Sequence, residues 1–525
     1  MRDFHFPGRS TVYATNGLCA TSHPLAAKVA VQILESGGNA VDAAIAGAVL
    51  LGLCEPAMTG IGGDCFVLLN PPGEDRVISL NGSGRAPAGL DPARIRAAGH
   101  NVLPRRSVDC VTVPGAIDAF CRLSADWGRS GLATSLAPAI HYAEAGIPVA
   151  PRVAFDWEGG PDIFTGKARD YFLRDGKPLR AGDVFRAPGQ AEVLRRVATD
   201  GRDGFYDGEV AADMVASLQA LGGTHSLEDF ANTACDYGEP LVGTYGGLEV
   251  LEHPPNGAGA IALLILNMLK NFDLSALDPF GVERNHIEAE AAKLAMDARN
   301  RFIADPDHAS RIEHLLSQDT ADRLAGLIDP RRALPMSPPG AEAVHKETVY
   351  IAVVDGDGMA VSMIYSIFDD FGSGMASDKF GVLFHNRGAG FNLTEGHPNE
   401  AGPGKRPMHT IIPGMLRKDG RILGPFGVMG GGYQPQGHAR ILTNMIDFGM
   451  DVQEAIDGPR VFAEGNVLHA ERGLSEEVRI GLAALGHEIG VRRVPIGGAQ
   501  AILIGEDGVM SAGSDPRKDG IALGY

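Results

Sequence analysis

Leu25, Val29, Ile33 and Leu34 recur at the three-to-four-residue spacing of one helix face, and the Gly37-Gly38 pair behind them stops that helix. Asn39 is placed to cap a second helix, with Asp42 three residues on as the return partner of a capping box. The segment 40–53 is apolar on nearly every face, which predicts a helix buried all round. A glycine-rich turn, Thr59-Gly-Ile-Gly-Gly-Asp64, then leads into Cys65-Phe-Val-Leu-Leu69, an apolar run of strand length. Residues 110–330 read mainly as helices, among them 258–269 and 282–303, the latter stopped by Asp305-Pro306. From 329 to 347 the periodicity fades and Pro330, Pro335, Pro338 and Pro339 mark a loop.

The pattern changes at Thr348. Thr348-Val-Tyr-Ile-Ala-Val-Val-Asp355 is β-branched and apolar, Gly356-Asp-Gly358 turns the chain, and Met359-Ala-Val-Ser-Met-Ile-Tyr-Ser366 returns as a second strand. Gly381-Val-Leu-Phe384, Ile422-Leu-Gly424 and Ala499-Gln-Ala-Ile-Leu-Ile504 extend the β-rich last third. The fold class is therefore mixed α/β.

Composition narrows the function. The chain has 525 residues, 44% hydrophobic and 21% charged, as in an ordinary folded protein. Its formal net charge of −19, with no basic run, argues against nucleic acid and against an anionic membrane surface. The first ten residues lack the apolar stretch of a secretory signal, and the longest apolar run is shorter than the ~20 residues a bilayer needs. Six scattered cysteines without a C-x-x-C pair read as reduced thiols, so the expectation is a soluble cytoplasmic protein. Sixteen histidines include no H-E-x-x-H and no zinc-like spacing, so neither metal nor organic cofactor is expected.

No G-x-S-x-G elbow is present to carry a serine nucleophile. Thr348 opens a hydrophobic strand directly after a Pro-rich loop. A hydroxyl needs a base beside it, and a chain cut just before a threonine supplies one as its own α-amine, with a pKa of about 8. Gly430-Gly431 offers consecutive N–H groups without side-chain obstruction, which can serve as tight-turn geometry or as an oxyanion site.

The segment beginning at Thr348 resembles the start of the small subunit in the γ-glutamyltranspeptidase family, whose members have the N-terminal-nucleophile hydrolase fold. The similarity includes Gly37-Gly-Asn-Ala-Val-Asp-Ala-Ala44, Thr59-Gly-Ile-Gly-Gly63, Val113-Pro-Gly115, Glu290-Ala-Ala-Lys293, Asp305-Pro306, Lys405-Arg-Pro407, Gly430-Gly431 and Ser514-Asp-Pro-Arg517, in that order. The resemblance implies a four-layer αββα sandwich formed from one precursor cut at Glu347–Thr348. The products would be a large subunit, 1–347, and a small subunit, 348–525, interwoven as a heterodimer with or without further oligomerisation. It implies Thr348 as nucleophile, Ser366 as a second hydroxyl beside it, and Gly430 and Gly431 as the oxyanion hole.

The substrate-binding positions depart from the γ-glutamyl pattern. Ser83 stands where that family has an arginine, with Arg85 two residues on, and a serine pair has become His409-Thr410. Phe368, Arg387 and Gly390 replace the groups that grip an α-amine, so an ammonium there would meet a positive charge. The set resembles the branch of oxamate amidohydrolase and cephalosporin-acylase-like proteins. Arg85, Arg387, His409 and Thr410 are thus the candidate binding residues for a small carboxylate-bearing amide; the competing role for each arginine is an ordinary salt bridge in an acidic protein. The expected activity is amide hydrolysis by a processed N-terminal threonine. The alternatives are a true γ-glutamyltransferase or glutathione hydrolase, and an unprocessed pseudoenzyme that binds an anion.

Overall fold

The structure, a computed structural model, describes residues 5, 8–335, 348–464 and 467–525. The strands that frame the molecule are β1 (Val12–Ala14), β2 (Gly17–Thr21), β3 (Asp64–Asn70), β4 (Ile78–Gly82), β5 (Asp236–Gly238), β6 (Leu241–Tyr245), β7 (Leu248–Glu252), β8 (Val349–Asp355), β9 (Ala360–Ser366), β10 (Pro413–Lys418), β11 (Arg421–Met429), β12 (Gly498–Ile504), β13 (Met510–Ser514) and β14 (Ile521–Gly524). They form two seven-stranded sheets, in the orders β14-β2-β8-β9-β3-β4-β5 and β1-β13-β12-β11-β10-β7-β6.

Why the strands read as unbroken apolar runs is visible in β8. Val349, Ile351 and Val353 pack into the core beneath the helices α1 (Pro24–Glu35) and α2 (Ala40–Cys54). Tyr350, Ala352 and Val354 point the other way, into a core between the sheets shared with Phe66, Met415, Met429 and Ile502. Both faces are buried, so the alternation of a half-exposed strand is absent. A third core lies outside the second sheet, where α3 (Gly259–Leu269), α4 (Val282–Phe302) and α5 (Gln434–Ile446) cover Phe426 and Val428. Helix, sheet, sheet, helix is the αββα sandwich expected from the resemblance.

The local expectations at 24–54 hold. The Asn39–Asp42 capping box forms in both directions, and every residue of α2 is buried. The hairpin at 356–358 joins β8 to β9, pairing Val354 with Ala360. The stretch 110–330 is mainly helical, as expected, and β5, β6 and β7 also lie within it; the Gly246-Gly247 turn folds β6 onto β7, and tertiary pairing decides their state. One reading is corrected. Residues 381–384 make an isolated bridge, Ala376 with Leu383, and no strand. Of the Pro-rich segment, 336–347 lies outside the described residues, Glu347 with it.

The sheets mix the two ends of the sequence. In the first, β14 and β8–β9, all after residue 348, alternate with β2 and β3–β5, all before it. In the second, β10–β13 are flanked by β1 on one edge and β7–β6 on the other. Among the described residues no helix is long and apolar enough to cross a membrane, and no disulfide joins any of the six cysteines.

Candidate active site

Strand register assembles the centre. Val349 pairs with Tyr365, which sets Thr348 beside Ser366, and Thr348 Oγ1 donates to Ser366 Oγ at 3.1 Å. On the other side of β9, Ser366 pairs with Asp64, the first residue of β3. Thr348, Ser366 and Asp64 therefore form a row across three adjacent strand ends, each almost wholly buried. Ser366 Oγ also accepts the backbone N–H of Phe368 at 2.9 Å.

Asp64 is the hub of the polar groups. Its Oδ1 accepts the N–H groups of Gly84 and Gly115, at 2.9 and 3.3 Å. Around its Oδ2 lie His385 Nδ1 at 3.1 Å, His409 Nε2 at 3.5 Å and Arg387 Nε at 3.6 Å. None of these three approaches makes an aligned hydrogen bond. All three Arg387 nitrogens and both His409 ring nitrogens are buried without a hydrogen-bond partner among the described residues. Such orphaned polar atoms cost stability, and they converge on Asp64 Oδ2. Burial pushes the Arg387 guanidinium down to about 10 against the opposing pull of Asp64 and Asp369, so it stays charged at neutral pH. Burial, then the Arg387 charge, hold His409 well below its usual range, so it is neutral. Its ring stacks on Phe66 with centroids 4.8 Å apart, and its backbone N–H donates to the Asn256 carbonyl at 2.8 Å.

The sequence-predicted residues divide. Thr348 with Ser366, and Arg387 with His409, are brought together through Asp64 and Phe368; Thr410 is buried beside His409. Arg85 is not among them. Its side chain is 41% exposed, with Nη1 donating to the Gly404 carbonyl at 3.0 Å and 3.4 Å from Asp305. Its backbone carbonyl is held by the Val113 N–H and the next residue's N–H by Lys405, which turns the side chain toward Asp305. Its partners are those of a partly exposed salt bridge. Asp64 and His385 were missed; the only sequence signal was the glycine run ending at Asp64.

Gly430 and Gly431 follow the last residue of β11, with φ of 114° and 56°, conformations that favour glycine. A Cβ on Gly430 would lie 2.7 Å from the Gly497 α-carbon. Both residues open the short turn Gly431–Tyr433, whose first N–H groups have no partner within it. The Tyr350 ring lies against Gly427, where a Cβ would stand 2.5 Å away, so the end of β11 and the start of β8 meet at the same rim of the sandwich.

His286, Glu290 and His487 place three donor atoms close enough to hold a metal ion. These atoms are already spent on one another. His286 Nε2 faces the Asp329 carbonyl at 2.8 Å and its Nδ1 faces His487 Nε2 at 2.8 Å, while Lys293 Nζ reaches His487 Nδ1 at 3.5 Å and Glu290 at 2.6 Å. A lysine ammonium in the cluster opposes a cation, and the group instead ties down Leu334, whose N–H donates to Glu290 at 2.6 Å.

Comparison with known proteins agrees with this architecture. The family described as Gamma-glutamyltranspeptidase matches residues 26–525. The glutathione hydrolase-like YwrD proenzyme of Bacillus subtilis is 35% identical over 98% of this chain and 99% of its own length. The oxamate amidohydrolase proenzyme of Klebsiella pneumoniae is 33% identical over 98% of this chain and all of its own. Among solved structures, a cephalosporin acylase from Bacillus halodurans superposes with a TM-score of 0.93 at 39% identity, covering 100% of this chain and 99% of that one. The chain belongs to the γ-glutamyltranspeptidase family and is an enzyme of the N-terminal-nucleophile hydrolase class.

Proposed function

We propose that this protein is a self-processed amidohydrolase whose nucleophile is Thr348 and whose substrate is a small amide bearing a carboxylate, of the oxamate type. The observation that carries this reading is the buried, hydrogen-bond-empty face of Arg387 and His409 next to the Thr348–Ser366 pair. Arg387 Nε is turned toward Asp64, which leaves the Nη1/Nη2 edge for two parallel bonds to a carboxylate, with His409 as a further donor. Thr410 lies beside this pair.

Scission between Glu347 and Thr348 would free the α-amine and divide the chain into subunits of 347 and 178 residues. The amine takes the proton of Thr348 Oγ1 as that oxygen attacks the amide carbonyl. Ser366 Oγ orients the attacking hydroxyl, and the N–H groups of Gly430 and Gly431 receive the negative charge on the carbonyl oxygen. Collapse expels ammonia or an amine with the proton held by the threonine amine, leaving an ester on Thr348. Water, deprotonated by the same amine, cleaves that ester and returns the free hydroxyl.

A γ-glutamyl donor is disfavoured at this site because its α-ammonium would face Arg387. Asp64, the nearby carboxylate, is already ringed by His385, Arg387 and His409. The test is ammonia release from oxamate by the processed protein, run beside hydrolysis of a γ-glutamyl anilide. Turnover of oxamate alone supports the reading; robust turnover of the anilide alone returns the protein to glutathione-hydrolase chemistry.

A further inference from the structure

The run Gln434-Pro-Gln-Gly-His438 takes no part in the chemistry above, yet it sits where β10 and β11 separate. The two strands pair up to Pro413 opposite Gly427. Pro413 has no N–H, and one position further on the ladder between them stops. At that step the two backbone donors are taken by side chains of one helix. The Ile412 N–H donates to Gln434 Oε1 at 3.0 Å, and the Val428 N–H donates to His438 Nε2 at 3.3 Å. Both side chains are fully buried at the start of α5.

The Val428 bond also fixes the histidine. With Nε2 accepting, the ring proton resides on Nδ1, which lies 2.7 Å from Glu252 Oε1. Glu252 closes β7 and pairs with Gly414 of β10, so the carboxylate that orients His438 comes from the same sheet. Burial pushes the Glu252 carboxyl up, and His438 opposes that shift.

What lies beyond the separation gives this patch its significance. Two and three residues past Val428 are Gly430 and Gly431; three residues before Ile412 is His409. One side chain of α5 thus holds the strand leading to the oxyanion glycines, and another holds the strand leading to the carboxylate-binding histidine. We propose that His438, oriented by Glu252, and Gln434 are positioning residues that set the Gly430–Gly431 N–H groups against the His409 side of the pocket. The inference rests on the proposed amidase reading and adds to it the residues that fix the reach between the two ends of the bound substrate.

The experiment compares His438→Leu, which removes the acceptor, with His438→Gln, whose amide can accept from Val428 and donate to Glu252. Each is assayed on whichever amide the wild type turns over. His438→Leu is expected to lower kcat about tenfold or more with KM within about twofold, because the oxyanion bonds form in the transition state. His438→Gln is expected to recover most of the loss. Glu252→Gln, which preserves volume, is expected to lower kcat several-fold and serves if the leucine variant does not fold. Wild-type kcat in both His438→Leu and Glu252→Gln would overturn the inference. So would parallel losses of kcat, KM and melting temperature that glutamine does not rescue. A crystal structure of either variant with Gly430 and Gly431 unmoved overturns it independently of activity, whereas a wild type inert toward all amides would strike only the amidase reading.

Discussion

The Arg387 guanidinium carbon lies 4.4 Å from the centroid of the Phe368 ring, while the Phe368 backbone N–H donates to Ser366 Oγ. One residue thus supports the cation at one end of the site and the hydroxyl pair at the other. Phe368 does so with φ of 82°, a conformation rare for a bulky side chain and costly unless its surroundings enforce it. Phe368→Leu keeps bulk but removes the ring face. The desolvated cation–π contact is worth about 2 kcal/mol, so KM for the carboxylate substrate should rise on the order of tenfold. Steady-state kinetics showing an unchanged KM would remove Phe368 from this role.

Arg387 and Arg85 should behave oppositely. Arg387→Lys keeps the charge that faces Asp64 but loses the planar fork, so KM is expected to rise about tenfold or more with the fold intact. Arg85→Ala removes only a partly exposed pair with Asp305 and a bond to Gly404, so KM should stay within about twofold. The reverse ranking would move the carboxylate to Arg85.

Thr348→Ala should abolish both scission and turnover. Denaturing electrophoresis of the wild type is expected to give bands of about 36 and 19 kDa, the 55.1 kDa chain divided by residue number, and of the variant one full-length band. A single band for active wild-type protein would contradict the N-terminal-amine mechanism.

His487 supplies a pH prediction. Burial, with Lys293 and His286 beside it, lowers its folded-state value from 6.5 to about 3. Between those limits the unfolded chain binds a proton that the folded chain does not, so its contribution is whole above pH 6.5 and declines toward pH 3. The slope is up to about 1.4 kcal/mol per pH unit. Glu55, raised to about 7 by burial, acts in the opposite sense from 4.5 to 7, so total stability does not isolate the effect. The stability difference between wild type and His487→Gln does, measured by denaturant titration across the range. It should narrow as pH falls; a constant difference would mean that His487 is charged in the fold.

Much of the helical and hairpin framework could be read from local signals. The Asn39 capping box, the glycine stop at 37–38 and the turn at 356–358 are each decided by a few adjacent residues. The strands β5–β7 were not legible, because their places in the sheets are settled by partners far away in sequence. The site shows the same divide. Thr348, Ser366 and the glycine pair stand out by position or by resemblance. The role of Asp64 depends on a strand register, and the direction of Arg85 depends on Asp305, 220 residues away. Neither leaves a trace in local pattern.

The interleaving of the sheets bears on when the proposed scission can happen. Thr348 meets Ser366 only where β8 and β9 are paired, and these strands are seated between β2 and β3 from the other side of the cut. Halves synthesised separately would each present raw strand edges and be prone to aggregate before finding one another. On the proposed mechanism a chain must finish folding before it can arm itself, and the liberated amine would double as a certificate that assembly is complete.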